Sequence, residues 1–442
     1  MKKLTLLMLL AGAIVRQVSA SAPGDVTLRV APERDLIYAR GSREVIVQID
    51  LDGRRPERGR RVPMNLAIAL DRSGSMQGAK IEKARQAACV AVDQLADDDY
   101  FSLVTYDNES EVLLPPQRVG GAGHRSELKS VIERIHPGGG TALHAGVSLA
   151  ARQVRRNVEK EFLNRVILVS DGLANVGPSR TSDLVELGRD LRQQGISVTT
   201  IGVGDDYHED LMTALAEASH ANYYYVRDAE KLPGIFSEEL GVARTLVARG
   251  VTIRITVPSG VRLEEIVGRP DISVRERGAE IRLPEYFGAE KRRFLARCIV
   301  DSPAADRLEV ASVDLQYESA DGSSARPQQQ AAAIKFTDEE RKSDDSLHPE
   351  VAREVSVVKN RLVKEKAVQL ADEGRASEAA DLLRRQAAAN AAAPAPAQLP
   401  GLAEENRKLE ATASELGASG QLGKDSRKRM QYENWQDKYQ KR

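Results

Sequence analysis

Two short apolar runs, each followed at once by an acidic residue and turn-forming residues, restrict the fold of this chain more than any other feature. Leu66-Ala67-Ile68-Ala69-Leu70 leads into Asp71-Arg72-Ser73-Gly74-Ser75-Met76, and residues 165–170 lead into Asp171-Gly172. An unbroken apolar run of strand length belongs to a strand covered on both faces; a half-exposed strand would alternate polar and apolar residues. Between and after these runs the pattern changes period. Residues 80–95 have helical spacing, with Ile81, Ala84, Ala88, Val92 and Leu95 on one side. Strands are predicted at 100–106 and 110–114, the second pairing beside the first as a hairpin. Helices are predicted over 125–135 and 143–156, the latter introduced by Gly138-Gly139-Gly140. The sequence continues with helix 182–194, strand 197–203, helix 209–218, strand 221–226 and helix 229–240. Such alternation over 62–243 predicts an α/β domain with a mostly parallel sheet.

The flanks read differently. Short strand patterns separated by turn residues fall at 26–30, 45–51, 251–257, 280–283, 294–301 and 308–317. The upstream piece is too short to bury a core alone, so 24–61 and 245–338 are expected to form one β-sandwich into which the α/β domain is inserted. Residues 349–390 predict a helical hairpin, with Val351, Val355, Val358 and Leu362 at heptad-like spacing and Gly374 as a C-cap. Residues 391–401 form an Ala/Pro linker. Residues 402–416 read as an exposed helix, and 402–442 as a helical, basic tail. From Lys424 to Arg442 there are seven Lys or Arg against three Asp or Glu. Tyr432, Trp435 and Tyr439 repeat there at helical spacing, which predicts an amphipathic helix docking on another surface of this chain or of a partner.

The N-terminus points to a compartment. Lys2 and Lys3, an apolar run over 4–15 and Val18-Ser19-Ala20 have the pattern of a signal peptide over 1–20, with an uncleaved anchor as the alternative. Export is therefore expected, to the periplasm, the cell surface or the medium, with no integral membrane span after cleavage. The 442 residues suffice for two or three domains. With 64 Lys and Arg against 65 Asp and Glu, the net charge of −1 provides no global reason for nucleic acid as partner. The two cysteines, Cys89 and Cys298, fall in different predicted domains and read as buried free thiols, without the His partners a zinc site needs.

The chemistry lies where the predicted strands end. Asp71 ends the first buried run, at the sheet edge where open α/β sheets bind ligands. Ser73 and Ser75, two apart in a tight turn permitted by Gly74, point the same way. Gly138-Gly139-Gly140-Thr141 adds a hydroxyl at a helix start, and Ser170-Asp171-Gly172 a second carboxylate. Asp71, Ser73, Ser75, Thr141 and Asp171 are all hard oxygen ligands, suited to Mg²⁺, Mn²⁺ or Ca²⁺ and not to zinc or copper. Five such donors leave a position of a near-octahedral dication open, where an outside Asp or Glu can attach. Taken singly, each loop also reads as an ordinary cap or turn.

Residues 66–76, Gly139-Gly140-Thr141-Ala142-Leu143 and Ser170-Asp171-Gly172 together resemble the metal-ion-dependent adhesion site of von Willebrand factor type A (vWA) domains, a likeness covering about 62–243. The resemblance implies a doubly wound, Rossmann-like sheet. It also implies direct metal contacts from Ser73 and Ser75, contact from Thr141 in one state, and contacts often through water from Asp71 and Asp171. An α/β domain set between sandwich strands resembles several bacterial surface or periplasmic vWA proteins and, loosely, the integrin arrangement. The expected function is protein binding without catalysis, in adhesion or assembly, with a partner's Asp or Glu carboxylate as the ligand. The competing expectations are an accessory subunit of a metal-dependent enzyme or assembly complex, as in chelatase-like vWA proteins, and a purely structural role. No nucleophile elbow or phosphate loop is present. His144, one turn into the helix after Thr141, is read as a rim residue that could approach the site, and Asp97-Asp98-Asp99 as a solvated turn with calcium as the alternative. The oligomeric state is left open.

Overall fold

The computed structural model describes residues 25–55, 61–159, 161–301, 307–392 and 401–439. The signal-peptide expectation for 1–20, most of the Ala/Pro linker and the last three residues lie outside these. In chain order the first elements are β1 (Val26–Pro32), β2 (Leu36–Tyr38), β3 (Glu44–Gly53), β4 (Met64–Asp71), α1 (Ala79–Gln94), β5 (Tyr100–Tyr106), β6 (Ser110–Arg118), α2 (Ala122–Ile132), α3 (Leu143–Arg155) and β7 (Leu163–Ser170). They continue with α4 (Thr181–Gln193), β8 (Ile196–Val203), α5 (Glu209–Ala218), β9 (Tyr223–Val226) and α6 (Leu232–Ala243). Next come β10 (Leu246–Thr256), β11 (Val261–Ile266), β12 (Val274–Arg275), β13 (Gly278–Phe287), β14 (Lys291–Val300), β15 (Leu308–Ser319) and β16 (Gln328–Thr337). Five helices close the chain: α7 (Glu340–Asp345), α8 (Pro349–Asp372), α9 (Ala376–Ala391), α10 (Leu402–Ser419) and α11 (Lys424–Tyr439).

From β4 to α6 the chain forms a six-stranded sheet of order β6-β5-β4-β7-β8-β9, parallel except for the antiparallel edge pair β5–β6. Every residue of β4, β7 and β8 is buried, as strands walled by helices on both faces must be. One face packs on α1, α2 and α6 through Ile68, Ile81, Val92 and Phe236; the other packs on α3, α4 and α5 through Ala69, Val147, Leu191 and Leu215. The chain leaves β4 toward β5 and leaves β7 toward β8, so the crevice between the carboxyl ends of β4 and β7 lies at the change of winding direction.

The remaining strands form two sheets, β1-β3-β14-β11 and β12-β13-β10-β15-β16-β2. Alternate residues such as Val45, Val47, Ile49 and Leu51 of β3 and Val251, Ile253 and Ile255 of β10 enter one apolar cluster drawn from both sheets. The first six residues of β16, Gln-Gln-Gln-Ala-Ala-Ala, carry no strand signal; they extend because β15 offers a ladder from Leu308↔Ile334 to Leu315↔Gln328. Cys89 is partly buried, Cys298 is buried, and both are free.

The C-terminal helices correct one expectation. Residues 402–416 are not simply exposed. Leu409, Ala413 and Leu416 of α10 pack against Ala379, Ala380 and Leu383 of α9, because three apolar residues at helical spacing leave water when a neighbouring stripe is at hand. Ala391, expected in the linker, closes α9. α11 docks on this same chain. Tyr432 and Trp435 meet Tyr223 of β9 edge-on, and Arg427 bonds Glu209 and Asp210 of α5 as well as Asp372 of α8. No helix among the described residues is long and apolar enough to cross a membrane.

Candidate metal centre at the sheet edge

Three loops meet at the carboxyl ends of β4 and β7. The β4–α1 loop is stapled to the glycine loop by two backbone bonds, Gly74 N–H to Gly139 O at 3.0 Å and Gly138 N–H to Arg72 O at 2.7 Å. Gly139 has φ +81°, and a Cβ there would also crowd Asp107 at 3.0 Å, so this position requires glycine. Asn108 Oδ1 accepts the Gly140 N–H at 2.9 Å, and Asn175 Oδ1 accepts the Thr141 N–H at 2.8 Å. Arg72 bridges to Asp107 at 2.9 Å beneath the same loop.

The five predicted residues converge. Asp71 Oδ1 accepts the Ser73 N–H at 2.8 Å and its Oδ2 accepts the Ser170 hydroxyl at 2.6 Å. Ser73 and Ser75 share a hydroxyl–hydroxyl bond of 3.0 Å, and Ser75 donates to Asp171 Oδ1 at 2.8 Å. Thr141 completes the group: a Cβ placed on Gly172 would lie 2.8 Å from Thr141 Oγ1, 3.3 Å from Ser75 Oγ and 3.7 Å from Ser73 Oγ. The three hydroxyl oxygens therefore surround one small space that glycine keeps clear. Asp71 and Asp171 are fully buried beneath it. Burial pushes the Asp71 carboxyl up to about 6, opposed by the bonds from Ser170 and Ser73 and reinforced by the charge of Asp171.

Sequence reading missed two participants. Ser170 orients Asp71. Lys80, in the first turn of α1, donates to Asp171 Oδ2 at 2.6 Å and is the cation already at the site. A lysine at the start of the helix that follows the Asp-x-Ser-x-Ser loop was the available signal. His144 is not brought into the group: burial lowers its pKa, and Asp183 is the charge that opposes the shift. In the Asp97–Asp99 turn, Asp99 is buried and accepts backbone N–H bonds from Met64 and Ala96, a structural role. Among the described residues no three His, Cys, Asp or Glu gather as a metal cluster. The donor set at the sheet edge is instead two carboxylates and three hydroxyls. An all-oxygen set of that kind, around a space only glycine leaves open, fits a hard dication.

Fold and sequence agree on the class. Residues 65–238 match the von Willebrand factor type A domain family. Domains of this class are commonly protein-interaction modules and often bind a divalent metal. An uncharacterized protein of Synechocystis sp. is 24% identical over 288 residues, 62% of this chain and 66% of that protein. The uncharacterized protein YfbK of Escherichia coli is 28% identical over 193 residues, 43% of this chain and 33% of that one. Inter-alpha-trypsin inhibitor heavy chain H2 of Homo sapiens is 26% identical over 164 residues, 36% of this chain and 17% of that one. The match thus spans at most 66% of the length of these relatives. The fold extends further. The von Willebrand factor type A structure from Catenulispora acidiphila superposes with a TM-score of 0.66 at 18% identity, covering 91% of this chain and 98% of that one. The ArnB paralog VWA2 from Sulfolobus acidocaldarius superposes with 0.59 at 17% identity, covering 93% and 98%.

Proposed function

We propose that this chain is an exported, metal-ion-dependent protein-binding module that takes an Asp or Glu side chain of a partner protein. Asp71, Ser73, Ser75, Thr141 and Asp171 would hold Mg²⁺, or Mn²⁺ or Ca²⁺ in its place. When bound, the cation supplies a Lewis-acidic position to which a partner carboxylate attaches. The rest is the work of this chain's own residues. Ser170 and the Ser73 N–H fix Asp71, Asn175 and Asn108 hold the Thr141 loop, and Gly172 keeps the space between the hydroxyls open. On this reading the two flanking sheets are a β-sandwich that presents the inserted α/β unit, and the module binds without catalysing a reaction.

The observation that carries the proposal is the approach of Thr141 Oγ1, Ser75 Oγ and Ser73 Oγ to one point beside Gly172, at 2.8, 3.3 and 3.7 Å, above two buried carboxylates. Leu173 supports the partner's chemistry. It is 56% exposed beside Asp171 and offers an apolar rim for the residue next to the incoming carboxylate. The test is capture of a partner from native extract with Mg²⁺ or with EDTA, alongside calorimetric Mg²⁺ titration of the parent and Asp71→Ala. The proposal expects Mg²⁺-dependent capture by the parent, and loss of both metal and partner in a variant whose circular dichroism is unchanged. Asp71→Ala binding metal and partner like the parent would overturn it.

A further inference from the structure

Over the whole chain, 64 Lys and Arg balance 65 Asp and Glu. One concavity carries a marked excess of positive charge. A cleft of about 1110 Å³ opens between the α/β unit and the six-stranded sheet that contains β10 and β13, and the last turn of α11 borders it. Eight Lys or Arg side chains line it against three Asp or Glu.

Half of that positive charge is answered locally. Asp271 grips Arg269 at 2.9 and 2.7 Å, Glu280 is shared by Arg254 and Arg282, and Glu217 holds Lys438. This engages all three carboxylates. Arg189, Arg192, Arg275 and Arg277 remain, with no ion pair to a described residue. Arg189 and Arg192 are three apart on α4 and share a face of that helix; Arg275 and Arg277 flank the β12–β13 turn, and both border the cleft. The two pairs belong to opposite walls.

Within the lining no further carboxylate among the described residues offsets these four. Burial holds Arg192 below the usual arginine range, with Asp271, already bound to Arg269, as the main opposing charge. His220, on the same wall, is pressed by burial and by Arg192, Arg269 and Arg292 down to about 3, so its imidazole is neutral at physiological pH. A solvated face normally mixes signs and pairs them. Four unanswered guanidinium groups facing one another across a concave boundary instead concentrate a positive field, and their planar forks match oxyanions. Among the described residues of the lining the aromatic rings are Tyr439 and the half-buried His220, which form no row on which successive bases or sugars would stack.

We propose that this cleft is a binding site for a compact polyphosphate-type anion, held between Arg189 and Arg192 on one wall and Arg275 and Arg277 on the other. The site lies apart from the sheet-edge loops and does not depend on them.

The test titrates inorganic triphosphate, orthophosphate and a sulfated glycan into the full chain by calorimetry, in divalent-free buffer at physiological ionic strength. The variants are Arg192→Gln/Arg277→Gln and, as control, Arg341→Gln, whose side chain is 93% exposed on α7. Triphosphate is expected to bind with one-to-one stoichiometry and at least tenfold more tightly than orthophosphate. The double variant is expected to lose at least tenfold, with its thermal unfolding unchanged, while the control retains the parent affinity. Absence of triphosphate binding, equal loss in Arg341→Gln, or tighter binding of the glycan through the same arginines would each overturn the proposal.

Discussion

Gly172→Ala separates the sheet-edge site from the fold that carries it. The φ of Gly172 is not in the left-handed region, so alanine meets no backbone penalty; the added methyl meets only the site. Its carbon would lie 2.8 Å from Thr141 Oγ1, roughly 0.6 Å inside ordinary van der Waals contact, and 3.3 Å from Ser75 Oγ. Thr141 must turn off its rotamer or its loop must shift, at about 0.5–1.5 kcal/mol. Oxygen ligands of Mg²⁺ require positions near 2.1 Å from the ion, so displacing even one hydroxyl should weaken binding about tenfold or more, which is about 1.4 kcal/mol. Thermal unfolding with and without Mg²⁺ reads this directly. At a free metal concentration about 100 times the parent's Kd, binding stabilises the native parent by about 2.7 kcal/mol, and a tenfold weaker variant by about half that. For a domain of this size the parent's melting point should rise by roughly 5–10 °C on adding metal, and the variant's by roughly half as much or less. In EDTA the two should melt within a few degrees of each other. A variant that keeps the parent's full metal-induced rise would refute the assignment of Thr141, Ser75 and Ser73 to one cation.

Lys80→Met removes the ammonium that lies 2.6 Å from Asp171. Relief of like-charge repulsion, about 1 kcal/mol or more at partly solvated separations, should tighten Mg²⁺ binding severalfold by calorimetry, and weaker binding would make Lys80 a support of the site instead. Arg165→Met strands Glu239, a fully buried carboxylate that also accepts from Thr199, Asn222 and Tyr224, and should cost about 3–5 kcal/mol in urea unfolding; the double variant Arg165→Met/Glu239→Leu should recover much of it. His220 has a folded pKa near 3 against an ordinary 6.5, so the unfolded chain takes up its proton first as pH falls. The parent therefore loses stability from about pH 6.5 downward, by about 1–2 kcal/mol at pH 5, and nothing above that range. His220→Asn, which tolerates the φ of 58°, should flatten this acid limb in urea midpoints compared at pH 7 and pH 5.

The core of the α/β unit was legible because β4 and β7 are buried on both faces and their sequences record it. The convergence of the five oxygen-bearing residues was legible because they sit at strand ends or helix starts inside short local motifs. Lys80 and the role of Ser170 were harder to foresee: one reaches Asp171 from the next helix, the other was read only as the residue before Asp171 and not as a partner of Asp71. The start of β16 was illegible because its Gln and Ala residues extend only where β15 pairs with them, and α10 was misjudged because its apolar stripe is narrow. The arginines of the cleft lie far apart in sequence and meet only once the sheet and α4 are assembled, so no local motif announces them.

Arg427 bonds α5 of the α/β unit and α8 of the helical region with one guanidinium, and Lys428 of the same helix reaches Glu209 and the carbonyl of Tyr207. A pull applied between those two bodies therefore loads these charged side chains of α11 together with the packing of Tyr432 and Trp435 on Tyr223. A force on the α/β unit would spread to the helices rather than peel the α/β unit away alone, and the two should yield as a single mechanical piece.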